Sequence, residues 1–475
     1  MKMTTLLVVA GVLSLALNAQ AQRKTQDLLI KLAPNAIQTF EMGNSKVERL
    51  GGDWIRVQAP ARVSLATLAK DPSIEYVQPN YKISLLEDYR IEDPLRRAAF
   101  AKMVSRNPEL NLGTLAKVDN PAIPDAPNAT TGADPLFSKQ WGMIDNNVQN
   151  AWKVTKGNPD VVVAVIDTGV DYTHEDLLPN LWRNSKEIPN NGIDDDGNGY
   201  IDDVIGWDFV SNDNKPYDLA MEPLEILFKG GNPGHGTHCA GNVAARGDNG
   251  KGIAGVAPNV KIMSIRFISE KGQGTTADAI KSIMYAVDNG AKIMSNSWGS
   301  EGEEAGAPEN KALRDAVQYA QDKGVLFIAA AGNGHKGVGY DNDTDAAPSY
   351  PSSYDHDIII SVAALDVNNN LGSFSNWGAK TVDIGAPGVK VFSTVVEQGY
   401  SDVVIDKMGF KAFWDGTSMA TPHVAGAAAL YWSANPSKSW QEVKAAILGS
   451  AKKINSLANK SVSGGKLDVE ALVRY

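Results

Sequence analysis

VLFIAAAGNGHKG, residues 325–337, carries two incompatible readings. A continuous apolar run ends in small residues, as a strand buried on both faces does. Gly332, Gly334 and Gly337 follow in the order G-x-G-x-x-G, which after a strand is the pattern of a dinucleotide-binding turn. Such a turn must open a helix whose N-terminus faces the pyrophosphate. The next residues are VGYDNDTDAAPSYPSSYD, with Pro348 and Pro351 and no helical period. The strand is expected and the nucleotide site is not. The glycines loosen a loop, and Asn333, a wildcard in the glycine pattern, becomes the residue of interest at the strand end.

The same kind of run recurs on both sides. DVVVAVID, VKIMSIRFI, AKIMSNSWG and DIIISVAAL are continuous and apolar. Between them, TADAIKSIMYAVDNG and NKALRDAVQYAQDKG have helical spacing and end in Gly, a common helix stop. This alternation predicts an α/β fold, a doubly wound and mostly parallel sheet, over residues 135–475. In such sheets chemistry gathers at the C-terminal ends of the strands.

The bulk properties narrow the function. The chain has 475 residues, a net charge of -10 and a single cysteine, Cys239. The acidic balance argues against a nucleic-acid partner. Lys2, the apolar run LLVVAGVLSLAL and the small-x-small Ala19-Gln20-Ala21 read as an export signal over residues 1–21, cut after Ala21. No later run is long enough to cross a bilayer, so no membrane association is expected once the signal is removed. An intramolecular disulfide is impossible, so any staple must be something other than sulfur.

Residues 22–86 read as a small unit. DLLIKLA and DWIRVQA are strand-like, and VSLATLAKDPSIEYVQPNYKI reads as a short helix, a turn at Asp71-Pro72 and a closing strand. Residues 87–134 change texture. EDYRIEDPLRRAAFAKMVSR is compatible with an exposed charged helix, and KVDNPAIPDAPNATTGADP reads as a linker.

Three polar motifs punctuate the α/β region. Asp167 ends VVVAVID and precedes Thr168-Gly169. An aspartic-protease reading would need a second such carboxylate motif, which the chain lacks. His235 and His238 fall in GHGTHCAG. Their spacing suits one helix face, but a zinc site lacks a third ligand, so His235 reads as a lone base and His238 as structural. Ser418 lies in WDGTSMATPHVAGAAAL, where Pro422 is tolerated only if it sits in the first turn of a helix. The order Asp, His, Ser is one of the three known orders of the serine-protease triad.

With these motifs on the page, the chain resembles the subtilisin-like serine proteases. VAVIDTGVD, GHGTHCAG and GTSMATPHVAGAAAL look like the three signatures of that family, and HGTHCAG is similar to the proteinase K-like variant. The unit before them, through DPSIEYVQPNY, resembles the family's inhibitory propeptide, a small α+β ferredoxin-like domain. The resemblance implies a secreted endopeptidase made as a self-processing zymogen. Ser418 is the implied nucleophile, His235 the general base and acid, Asp167 its orienting partner, and Asn333 a side-chain donor of the oxyanion hole. It implies polypeptide substrates bound by strand addition. One wall would be Ser297-Trp298-Gly299 and the other would lie at Gly272 and Gly274. Ala330, Ala331 and Gly332 would line the primary pocket. The own propeptide is the other expected partner, and a monomer is expected.

The stretch NNGIDDDGNGYIDDVIGWDF holds a candidate cation loop. Asp194, Asp196, Asn198, Tyr200 and Asp202 occupy positions 1, 3, 5, 7 and 9 of an EF-hand-like loop, with Gly199 at the sharp turn. Position 12 is Ile205, so Asp203 is the candidate for the missing carboxylate. Structural calcium is expected, and it would stabilise the exported fold. Two rival readings are a dinucleotide-dependent oxidoreductase and a catalytically silent calcium-binding secreted protein. The expected destination is extracellular or periplasmic.

Overall fold

The computed structural model describes residues 25–34, 36, 45–61, 63–91, 93–106, 120–127, 131–300, 310–407 and 409–475. The expected export signal, residues 1–21, lies outside them, as do residues 107–119 and 128–130 of the expected linker. The chain divides into two compact units between Asn80 and Tyr81, ahead of the boundary expected at residue 86.

The first unit is a four-stranded antiparallel sheet of β1 (Thr25–Leu32), β2 (Val47–Gly51), β3 (Trp54–Pro60) and β4 (Ile74–Pro79), in the order β2-β3-β1-β4. The helix α1 (Leu65–Leu68), capped by the Ser64 side chain, links β3 to β4. Alternation decides which face is buried: Leu28, Ile30 and Leu32 meet Ile55, Val57 and Ala59, with Leu68 and Ile74 closing the core. The strand order is that of a ferredoxin-like sheet, as expected.

The second unit begins with a short strand, β5 (Lys82–Ser84), and a helix, α2 (Pro94–Arg106), where a charged helix was expected. Its centre is a nine-stranded sheet. The strands are β6 (Val162–Asp167), β7 (Gly206–Asp208), β8 (Lys261–Arg266), β10 (Ile293–Asn296), β11 (Leu326–Ala330), β12 (Ile359–Leu365), β13 (Ile384–Pro387), β18 (Lys452–Lys453) and β19 (Gly465–Lys466). Their order is β18-β19-β13-β12-β11-β10-β6-β8-β7, parallel except at the β18–β19 edge. Every residue of β6, β10, β11 and β12 is buried, which is why these strands read as unbroken apolar runs. Among the described residues no helix is long and apolar enough to cross a membrane.

Short strands β9 (Gln273–Thr275), β14 (Ser393–Val395), β15 (Gly399–Ser401), β16 (Val403–Lys407) and β17 (Phe410–Phe413) form two-stranded pieces around this sheet. The helices that position the site are α3 (Pro223–Lys229), α4 (His235–Ala244), α5 (Thr276–Asp288), α6 (Lys311–Lys323) and α7 (Thr417–Ala434). Thr275 and Asn310 cap the starts of α5 and α6, and Gly324 ends α6 at φ +73. The α/β, doubly wound sheet expected from the sequence is the fold observed. Because β8 lies on one side of β6 and β10 on the other, β6 borders the point where the winding reverses.

Candidate active site

Asp167 is the last residue of β6, so its carboxylate emerges at the strand's C-terminal end. His235 is the first residue of α4, entered through Gly234 at φ +94. The His235 Nδ1 lies 2.7 Å from Asp167 Oδ1, and both residues are fully buried. Burial alone would depress this imidazole, but the Asp167 carboxylate reverses that and holds it well above the ordinary histidine value.

A second layer fixes the helix start. The Asn232 side-chain oxygen Oδ1 accepts the amides of Gly234 and His235. The Thr168 hydroxyl accepts the Gly236 amide and donates to Asp218. The Asp218 carboxylate also takes the Thr237 amide and hydroxyl and the Asn232 side chain. Gly236 is required here, because a Cβ would stand 2.1 Å from the Gly169 carbonyl oxygen. The sequence reading missed Asp218 and Asn232. Their signal is weak, since both belong to irregular chain that only the fold brings under α4.

Ser418 is the second residue of α7. The sequence expectation that Pro422 sits in the first turn is wrong: it lies inside the helix. Proline has no amide to donate to the Ser418 carbonyl one turn earlier. That oxygen instead accepts the Ser297 hydroxyl at 2.9 Å and faces the Cys239 thiol at 3.5 Å. The Ser418 hydroxyl donates to the Ser297 carbonyl at 3.1 Å. Cys239 Sγ is 3.9 Å from His235 Nδ1, is fully buried, and has its ionisation pushed up by burial. His238 is structural, as expected: its Nε2 meets the Val391 carbonyl oxygen, its ring stacks on Trp414, and burial pushes it down to about 3.

Asn333 follows β11. Its side-chain oxygen accepts the Thr417 amide and hydroxyl, each at 2.9 Å. This anchor directs the NH2 toward the catalytic centre, where it donates to Glu87 Oε1 at 2.9 Å. Glu87 Oε2 lies 3.3 Å from His235 Nε2. A carboxylate oxygen thus occupies the position in front of the Asn333 NH2. After Asn333 no helix opens. His335 and Val338 pair across a turn, with Gly334 and Gly337 at positive φ. This is the missing helix that removes the nucleotide reading.

Glu87 arrives there on an extended segment. β5 pairs with β9, placing Ile83 opposite Gly274. Ser84 exchanges backbone hydrogen bonds with Gly299, and the Leu85 amide donates to the Gly272 carbonyl. Gly274, Gly299 and Gly272 thus pair with the chain's own residues Ile83, Ser84 and Leu85. Trp298 is fully buried against Phe267 and Phe327 and backs its wall from behind. Ala330 and Ala331 are buried at the end of β11, and the Gly332 amide is tied to the Thr417 hydroxyl.

In the acidic loop, carboxylate oxygens of Glu187, Asp194 and Asp196 all lie within 4.8 Å of one another. Glu187 was not foreseen, because it precedes the loop pattern. The Asn198 amide donates to both Asp194 and Asp196. The other two expected carboxylates are engaged elsewhere. Asp202 accepts the Asn191 and Gly192 amides, and Asp203 accepts from Asn184, Asn198 and Tyr285. The Tyr200 ring packs on Trp207, Phe209 and Tyr285. Clustered hard oxygens fit calcium.

The comparisons with known proteins agree with this geometry. Residues 158–465 match the Subtilase family model, Peptidase_S8. Thermitase of Thermoactinomyces vulgaris is 36% identical over 346 residues, covering 73% of this chain and 100% of that protein. A thermophilic serine proteinase of Bacillus sp. (strain AK1) is 37% identical over 316 residues, 66% of this chain and 62% of its own length. The crystal structure of fervidolysin from Fervidobacterium pennivorans, described as a keratinolytic enzyme related to subtilisin, superimposes with a TM-score of 0.65 at 25% identity, covering 95% of this chain and 61% of that one. The chain belongs to the subtilase family.

Proposed function

We propose that the chain is a secreted, subtilisin-type serine endopeptidase made as a self-processing zymogen. Ser418 attacks the scissile carbonyl, and His235 takes its proton and later delivers it to the leaving amine. Asp167 holds the imidazole in the orientation that presents Nε2 to Ser418. Asn333 donates to the developing oxyanion. Substrates bind as an added strand between Gly272–Gly274 and Ser297–Gly299, with Ala330, Ala331 and Gly332 lining the primary pocket.

The observation that carries this reading is the seating of residues 82–87. The backbone pairs on both sides up to Leu85, and the Glu87 side chain reaches His235 and Asn333. The bond presented to Ser418 is then Leu86–Glu87. Residues 22–86 are the prosegment and residues 87–134 connect it to the peptidase domain at 135–475. Export by residues 1–21 accords with the extracellular destination printed for one relative, the halolysin-like protease Nep of Natrialba magadii.

Calcium completes the reading. Glu187, Asp194 and Asp196 would hold the ion, with Asn198 and the Tyr200 backbone close by in the same loop. Bound there, it supplies charge neutralisation and a staple for the loop. The deciding experiment is intact-mass analysis of the purified wild-type and Ser418→Ala chains. The wild type should release a fragment ending at Leu86, and the variant should stay whole. A Ser418→Ala chain that still matures without added protease refutes self-processing.

A further inference from the structure

Beyond Glu87 the chain does not leave the protein surface. Tyr89 and Ile91 pack on a cluster of Met221, Ile226, Leu227 and Ile405, which comes from α3, the chain just before it and the β16–β17 hairpin. Ile226, Leu227 and Ile405 are at most 1% exposed. The Ile91 amide donates to the Leu227 carbonyl at 3.0 Å, so backbone pairing continues on this side of the catalytic centre. The Tyr89 hydroxyl is buried and has no hydrogen-bond partner. The cluster packs hydrocarbon against Tyr89, and no protein group hydrogen-bonds its hydroxyl.

We infer that α3 and the β16–β17 hairpin form a specificity pocket for an aromatic side chain at the third residue after the scissile bond, and that phenylalanine fits it better than tyrosine. The inference rests on the register proposed above, in which Leu86–Glu87 is the bond at the nucleophile and Tyr89 is the third residue beyond it. Apolar enclosure favours the ring, and the unpartnered hydroxyl penalises tyrosine relative to phenylalanine. A carboxylate placed there would be buried against hydrocarbon at a desolvation cost.

The test uses the self-processed enzyme, wild type at the pocket and carrying Tyr89→Gly so that its own connecting segment leaves the pocket open, and quenched fluorescent peptides Ile-Ser-Leu-Leu-Glu-Asp-X-Arg-Ile, with X as Phe, Tyr, Ala or Asp. The kcat/KM for X = Phe should exceed that for X = Ala by about tenfold or more, with Tyr between them and Asp lowest. The difference should reside mainly in KM, because the ring takes no part in the bonds made and broken. In Ile405→Asp, or in the milder Ile226→Ala, the Phe-to-Ala ratio should shrink toward one. Equal rates for all four peptides with Ile226 and Ile405 in place overturn the pocket. Mass spectrometry of the products separates the two premises: cleavage at a bond other than Leu–Glu refutes the register instead.

Discussion

Glu87 is the residue whose replacement tests the zymogen most directly. In the proposed mechanism the Leu86 carbonyl takes the Asn333 NH2 as it becomes an oxyanion, so the Glu87 carboxylate has to leave. The carboxylate is 3% exposed, accepts from Asn333 at 2.9 Å and sits 3.3 Å from His235 Nε2. A hydrogen bond to a charged group is worth about 1.5–3 kcal/mol. At 1.36 kcal/mol per factor of ten, losing that bond should raise the rate of the first cut about 10- to 100-fold. Glu87→Ala is expected to show this acceleration. Glu87→Gln keeps the bulk and a neutral acceptor, so it should fall between the alanine variant and the wild type. The assay is a refolding time course of the full chain, followed by the intact mass of the fragment ending at Leu86. A Glu87→Ala chain that processes no faster than wild type would mean that the carboxylate does not hold the oxyanion position closed.

Other predictions address the rest of the site. Asn333→Ala should lower kcat about 10²- to 10³-fold with little change in KM, measured on a peptide substrate; an unchanged kcat removes Asn333 from the oxyanion hole. A chelator should lower the Tm of the Ser418→Ala chain by at least about 3 °C, and Glu187→Gln should produce most of that loss by itself. A chelator-insensitive Tm would contradict the cation site. Burial pushes His423 down to about 4 from 6.5, so the unfolded chain binds a proton there that the folded chain refuses. Stability is then fully present above about pH 6.5 and is lost as pH falls toward 4, with a slope of up to about 1.4 kcal/mol per pH unit for this one group. His423→Gln should flatten that part of the denaturation-versus-pH curve, and an unchanged slope would show that His423 does not carry it.

The sequence made the sheet legible where burial was two-sided. β6, β8, β10, β11 and β12 contain almost no outward-facing positions, so their apolar runs are continuous. β2 escaped because VERLG exposes charged residues on a partly covered strand. Asp167, His235, Ser418 and Asn333 stood out because each sits at the end of a regular element next to small residues. Their supports did not. Asp218, Asn232 and Glu187 act through distances set by the fold, and nothing in their neighbours' spacing announces that. The acidic loop illustrates the same limit. Its pattern identified Asp194 and Asp196, but the third converging carboxylate comes from upstream, while Asp202 and Asp203 turn to amides and hydroxyls nearby.

Pro422 has a consequence for how the site keeps its shape. Within an ordinary helix the Ser418 carbonyl would be satisfied by its own helix. Here the proline leaves it for Ser297, on a substrate wall, and Cys239, on the helix that carries the base. A bond internal to one element has become a junction among three. Ser418, Ser297 and the helix that carries His235 are thereby referenced to a single atom. A displacement of any one is passed to the other two, so their mutual positions vary less than the position of the group as a whole. A residue known chiefly for disrupting helices acts here as the common datum from which the working parts are aligned.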